Sequence, residues 1–220
     1  MFTIAIDGPS GSGKSTTAKL TARRLGARYL DTGAMYRAVA VGCMGAEIDH
    51  DDATAIAAYC VGMDLDISTD PDDQYVRLGE ADITDAIRAP EVSAWVSAVS
   101  TNPECRVDLV KRQRDIIASD NFVAEGRDIT TVVAPEAEVR VLLTADPEAR
   151  MARRGAELGG AVDEAGLRDQ ILRRDKDDST LVNFTVAADG VATIDSTFLT
   201  PDEVVAQVLL LARRAGIDVD

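Results

Sequence analysis

The sequence predicts an α/β fold: a parallel sheet covered by helices on both faces, with a small antiparallel sheet inserted. Three observations carry the prediction. Short apolar runs near 2–6, 28–31, 122–125, 139–143 and 192–195 alternate with stretches of helical period, as in chained β-α units. A glycine-rich turn joins the first run to the first helical stretch. Between 63 and 88 the pattern changes to brief alternating stretches separated by turn residues.

Taken in order, FTIAI (2–6) is a buried-strand run, and KSTTAKLTARRL carries apolar Ala18, Ala22 and Leu25 at helical spacing. Gly26 stands where a helix would stop. A second strand is expected at 28–31, a helix over 33–44 closing at Gly45, and an Ala-rich helix over 51–60 with Asp51 near its start. MDLDIS and QYVRL alternate, DPDD and GE are turn-like, and ADITDAIR follows. Helical patterns return over 90–100 and 103–118, broken by Asn102-Pro103. FVAE (122–125), VRVLL (139–143) and ATID (192–195) complete the strands. Thr200-Pro201-Asp202-Glu203 opens the last helix with a cap, a proline at the first helical position and early acids.

The 220 residues suit a single domain able to bury a core, and with aromatics at 4% that core must rest on Val, Ile, Leu and Ala. No apolar run approaches the ~20 residues that span a bilayer. The segment Met1-Phe2-Thr3-Ile4 has no basic stretch ahead of an apolar one, so no signal peptide is expected and the cytoplasm is the expected location. Cys43, Cys60 and Cys105 lie far apart in sequence among apolar neighbours and are expected as buried, reduced thiols. His50 stands alone in an acidic loop, which disfavours a Cys/His zinc site and histidine-based nucleophilic catalysis. A net charge of −15 argues against nucleic acid as a partner. It does not exclude a small anion, because the arginines cluster. Arg150, Arg153, Arg154, Arg168, Arg173, Arg174 and Lys176 share one segment, and Arg106, Lys111, Arg112 and Arg114 another.

Gly8-Pro9-Ser10-Gly11-Ser12-Gly13-Lys14-Ser15 fits G-x-x-x-x-G-K-[ST], between an apolar strand and a helix. The glycines allow backbone N–H groups to turn inward around phosphate oxygens, and the helix N-terminus adds favourable partial charge. Lys14 is then expected on the β- and γ-phosphates of ATP and the Ser15 hydroxyl on Mg²⁺, with Thr16 closing the binding segment. Such a loop serves switches, transport ATPases and small-molecule kinases alike. Further along, Tyr29-Leu30-Asp31-Thr32-Gly33-Ala34-Met35-Tyr36-Arg37 sets a hydroxyl, an aromatic ring and a guanidinium at a helix start near the carboxyl ends of the strands. Those residues alone fit either ligand contact or a capped helix with Tyr36 as packing.

With IDGPSGSGKST, LDTGAMYR, VAEGRD followed by TVV, and RRDKDDS near 173–179, the chain resembles bacterial-type cytidylate kinases over almost its whole length. The resemblance implies a P-loop kinase with a central parallel sheet flanked by helices, an inserted antiparallel-sheet NMP-binding lobe and a short helical lid. In this single domain the core would occupy approximately 1–31, 103–145 and 176–220, the lobe 32–102 and the lid 146–175. It implies transfer of the γ-phosphoryl group of ATP to CMP or dCMP, Mg²⁺ bound with ATP, and a monomer. Contacts to CMP are implied for Thr32, Tyr36, Arg37, Arg88, Ser97, Arg106, Arg127, Asp128, Arg174 and Asp178. Among these, Asp128, Ser97 and Arg106 are assigned to the base, Arg127 and Arg37 to the phosphate, and Arg174 and Asp178 to the ribose. A bland alternative for Arg127-Asp128 is a structural ion pair. Lys14, Arg37, Arg154 and Arg174 are the expected catalytic cations, with Arg154 the lid's transition-state arginine, and Glu125 could orient a Mg²⁺-bound water. Where the family often continues D-S-x-R, this chain has Asp178-Ser179-Thr180-Leu181, which leaves one substrate arginine unaccounted for.

The chemistry agrees with a phosphate acceptor. A hydroxyl acceptor generally needs a positioned carboxylate base. A monophosphate, with a second pKa of about 6, is already largely ionised at neutral pH. Its difficulty is the approach of two anions, which arginines relieve. Kinases of other small acceptors and a nucleotide-dependent switch are the competing readings. The insert and the G-R-D element disfavour the first, and the lack of a convincing N-K-x-D motif disfavours the second.

Overall fold

The structure is a computed structural model that describes residues 1–157 and 186–219. Five parallel strands form the central sheet: β1 (Thr3–Asp7), β2 (Arg28–Asp31), β6 (Phe122–Gly126), β7 (Val139–Thr144) and β8 (Ala192–Asp195), in the order β2-β6-β1-β7-β8. The insert is a second, antiparallel sheet of β3 (Leu65–Ile67), β4 (Val76–Leu78) and β5 (Ala81–Asp82), followed by a 3₁₀ turn at Ala86–Arg88.

Helices α1 (Lys14–Leu25), α2 (Thr32–Gly45), α3 (Ala53–Gly62), α4 (Pro90–Ser100), α5 (Pro103–Ile117), α6 (Pro147–Glu157) and α7 (Pro201–Arg214) complete the described chain. They bury two main apolar clusters. One joins α2, α3, α4 and α5 to the sheet through residues such as Met35, Val39, Leu109 and Phe122. The other joins α1 and α7 to it through Ile4, Ala22, Val141 and Val208. All of these side chains are at most 4% exposed, so each cluster excludes water and holds its helices on the sheet.

The boundaries follow local chemistry. Gly26 ends α1 in the left-handed conformation, as its position predicts. The third helix starts two residues later than expected because Asp52, rather than Asp51, accepts the Ala55 N–H as its cap. The break at 102 is itself a cap: Asn102 Oδ1 accepts from the backbone N–H groups of Glu104 and Cys105. The three cysteines are buried and free, as expected of them, and α3 and α5 bring Cys60 close to Cys105.

One element has no counterpart in the sequence reading. Residues Ile129–Val133 form a π-helical turn directly after β6. Registry explains what the sheet contributes to function. Asp7 lies opposite Gly126, and Asp31 opposite Glu125, so the carboxyl ends of β1, β2 and β6 finish level with one another. Open α/β sheets bind ligands at that edge.

At the start of α7, the Thr200 hydroxyl accepts the Glu203 N–H while the Glu203 carboxylate accepts the Thr200 N–H, a complete capping box. Thr200→Ala should lower the unfolding free energy by about 1 kcal/mol, read as a shift in the urea midpoint with an unchanged slope.

Candidate functional site

The P-loop leaves β1 and enters α1 through Gly13, which caps the helix at φ 89° without a side-chain hydrogen bond. The first turn of α1 also contains no acid. Its orphan N–H groups and positive dipole end are therefore left for an anion. Gly11, at φ 76°, lies so near α6 that a Cβ would stand 2.6 Å from the Arg150 carbonyl oxygen. Glycine is required there on both counts. Lys14 curls over the loop, its Nζ donating to the Pro9 carbonyl at 3.1 Å.

Around this loop opens a cleft of about 440 Å³. Lys14, Arg37, Arg88 and Arg127 line it with the carboxylates of Asp31 and Glu125, and residues of the P-loop from Ser10 to Thr16 form one wall. Arg37 is held by Asp31, Nη2 to Oδ2 at 3.0 Å, while the other oxygen of Asp31 caps α2 by accepting the Ala34 N–H. The Ser15 hydroxyl donates to Glu125 Oε1 at 2.5 Å, and the Tyr29 hydroxyl donates to the same oxygen at 3.1 Å. Burial raises the Glu125 pKa above the ordinary carboxylate range, with Asp31 adding to the effect and Lys14 opposing it. Lys19, over the Tyr29 ring at 5.3 Å, is pushed down by burial and by Arg88.

Beside the cleft, Arg106 Nη2 donates to Asp128 Oδ2 at 2.6 Å. The structural partner of Asp128 is thus Arg106 rather than its neighbour Arg127, which turns into the cleft instead. Ser93 also lines the cleft, and Ser97 stands one turn further along α4 on the same face. The Thr32 hydroxyl donates to the Glu125 carbonyl at 2.8 Å, and Gly126 makes room for it, since a Cβ there would lie 2.5 Å from Thr32 Oγ1. Tyr36 is buried within the apolar cluster that joins α2 to α5 and the sheet. Gly8, Pro9 and Ser12 are also buried.

Two arginines of α6, within the segment expected to form the lid, turn into the fold. Arg150 is 8% exposed and donates to the Ser10 carbonyl, while Arg153 donates to Ser196 Oγ and to the carbonyls of Ser196 and Thr197. Ser196 in turn donates to the Ser12 carbonyl. Unsatisfied carbonyls of the P-loop and of the loop after β8 draw these two guanidiniums inward. Arg153 also borders a smaller cavity of about 230 Å³ behind the P-loop, lined also by Leu199, Pro201 and Val204. The side chain of Arg154, together with Arg174, Asp178, Leu181 and most of the expected lid, lies outside the described residues.

Two residues escaped the sequence reading. Ser93 could have been found four residues before Ser97 on one helix. Asp7 is the other. It is 2% exposed, and its carboxylate accepts from the Ile129 and Thr130 N–H groups and the Thr130 hydroxyl at 2.6–2.9 Å. The signal was present: an acid ends an otherwise apolar strand immediately before the phosphate loop.

This sheet order, with a phosphate loop after the central strand and cations facing it, defines a P-loop nucleotide-binding α/β protein. Sequence comparison is more specific. Residues 4–214 match the family model described as cytidylate kinase. The chain is 50% identical over 213 residues to the cytidylate kinase of Cutibacterium acnes, covering 94% of this chain and 93% of that one. It is 43% identical over 214 residues to that of Streptomyces avermitilis, covering 96% and 92%. The chain belongs to the cytidylate kinase family. In overall fold it resembles an uncharacterized protein from Eubacterium ventriosum, with a TM-score of 0.51, 13% identity and coverage of 96% and 97%.

Burial pushes the Asp7 carboxyl up to about 6 from 3.8, outweighing its three donors. Between those values the folded chain keeps a proton that the unfolded chain has released. Stability from this group therefore falls as pH rises from about 4 to about 6, then levels off. Asp7→Asn cannot titrate. In urea unfolding across this range, wild type should lose up to about 3 kcal/mol relative to the variant.

Proposed function

We propose that the chain transfers the γ-phosphoryl group of ATP to CMP or dCMP, yielding ADP and CDP or dCDP. The observation that carries this reading is the convergence of Lys14, Arg37, Arg88 and Arg127 on one P-loop cleft in a chain of net charge −15. Cations concentrated in one place on an acidic molecule suit two substrates that repel each other.

In this reading the P-loop amides and Lys14 hold the donor's phosphates. Arg37 and Arg127 bind the acceptor's phosphate, which is already ionised and needs no base. Its oxygen attacks the γ-phosphorus in line, and the bond to the β-phosphate oxygen breaks, leaving ADP. Arg88 adds charge at the mouth. Asp128 accepts from the cytosine amine, a donor that uracil lacks, with Arg106 and Ser97 beside it. Thr32 acts from beneath by fixing the start of the helix that carries Tyr36 and Arg37. Arg154 and Arg174 complete the charge offset from the lid, and Arg174 and Asp178 bind the ribose. The 230 Å³ cavity beside Arg153 is proposed for the donor's nucleoside.

The Ser15 hydroxyl and the Glu125 carboxylate are hard oxygen donors set together at the phosphate loop, and they fit Mg²⁺, Glu125 through a water. Bound with ATP, the ion would offset phosphate charge. Action in the cytoplasm is proposed as well, and a monomer on the family resemblance alone.

Purified protein given Mg·ATP and CMP should release CDP, followed by anion-exchange chromatography, with UMP and AMP used at lower kcat/KM. No CDP would overturn the reading. Asp128→Ala removes a charged hydrogen-bond partner and should cut kcat/KM for CMP by about ten- to a hundredfold. The KM for ATP should stay within about twofold, and an unchanged CMP profile would refute the base assignment.

A further inference from the structure

Within the apolar cluster under the acceptor side lies a polar group with no assigned purpose. Gln113, on α5, is 0% exposed, and neither its amide nitrogen nor its amide oxygen has a hydrogen-bond partner among the described residues. The hydroxyl of Tyr36, on α2, is likewise buried and has no hydrogen-bond partner among the described residues. The Gln113 side chain acts on the Tyr36 phenol as a hydrogen-bond donor would, so the two lie close together, although the contact falls outside full hydrogen-bond geometry. Both lie near the recognition pair. Gln113 is about two turns along α5 from Arg106, on the same side of the helix, and the Tyr36 phenol lies within electrostatic reach of Asp128 and Arg106.

Energetically the arrangement is costly. A buried amide without full partners has given up its hydrogen bonds to water, and an apolar residue of similar shape, close to Leu109 and Val110, would avoid this. Satisfaction is nevertheless close at hand. An amide offers both donors and an acceptor, a phenol offers one of each, and a small shift of the Tyr36 ring would join them.

We propose that Gln113 is a positioning residue for acceptor recognition: when the nucleotide binds, its amide closes on the Tyr36 hydroxyl and fixes that ring against the Arg106–Asp128 pair. The inference rests on the reading that this pair meets the base. The unpaired groups of the free protein become paired in the complex, and part of the acceptor's binding energy goes into alignment. Discrimination between cytosine and uracil then depends on a residue that touches neither.

The test is a double-mutant cycle of Gln113→Leu and Tyr36→Phe, with CMP and UMP as acceptors. Gln113→Leu should lower kcat/KM for CMP about five- to twentyfold and reduce the CMP-to-UMP ratio. The ATP KM should hold, and the melting temperature should stay level or rise because an unpaired amide has gone. Tyr36→Phe should do the same, and the double variant should be no worse than either single one. An unchanged CMP-to-UMP ratio in Gln113→Leu, or single effects that multiply in the double variant, would overturn the proposal. So would an equal loss for both acceptors with a fall in melting temperature. Should Gln113→Leu fail to fold, Tyr36→Phe decides, and an unchanged ratio there overturns it. Asp128→Ala run in parallel separates the two ideas. A selective loss in Asp128→Ala with none in Gln113→Leu sinks only the Gln113 inference, and no loss in either sinks both.

Discussion

The site depends on one buried carboxylate. Asp7 ends the central strand and grips two backbone amides and a hydroxyl of the turn that follows β6. Its own strand runs directly into the phosphate loop, and the turn it holds begins one residue after Arg127-Asp128. A single side chain thereby ties the part of the chain that cradles one anion to the part proposed to bind the other. The parallel registry of β1 and β6 brings the two strand ends level, and the carboxylate fixes them. In-line transfer between two bound groups tolerates little misplacement, so a rigid connection here limits the distance that any looser element must correct.

The same contact explains why one element was invisible in the sequence. Ile129-Thr130-Thr131-Val132-Val133 is rich in β-branched residues and by propensity suits an extended strand. It forms a π-helical turn because Asp7, more than a hundred residues earlier, claims the first amides. No local pattern encodes a partner at that separation. By contrast, the strand–loop–helix at the N-terminus, the capped helix at 200–203 and the antiparallel insert rest on local periodicity and turn chemistry, and they stand where the sequence puts them.

Charge was legible in amount but not in direction. The clustering of arginines was plain from the sequence, yet what each one faces is a tertiary matter. Arg127 turns into the cleft while Asp128, beside it, pairs with Arg106 from another helix. Arg150 and Arg153 belong to the arginine cluster of the expected lid, but they are drawn inward by carbonyl groups of the phosphate loop and of the loop after β8. Two neighbouring guanidiniums thus serve as internal ties, and the cations of the cleft come from four other parts of the chain: the P-loop, α2, the 3₁₀ turn after the insert, and the end of β6.

The Asp31–Arg37 pair has a consequence for the traffic of substrate and product. Asp31 keeps the guanidinium occupied by an internal anion, so in the role proposed for Arg37 an arriving phosphate must take over a contact that already exists. Such a swap returns less free energy than filling an empty site, because one charged pair is exchanged for another. Stray inorganic anions with few other contacts gain little by the exchange, whereas a whole nucleotide can outbid the aspartate with its sugar and base. In the same proposed role, the carboxylate would reclaim the arginine once the reaction is over and help expel the diphosphate. Turnover in such a site is helped by a resident competitor.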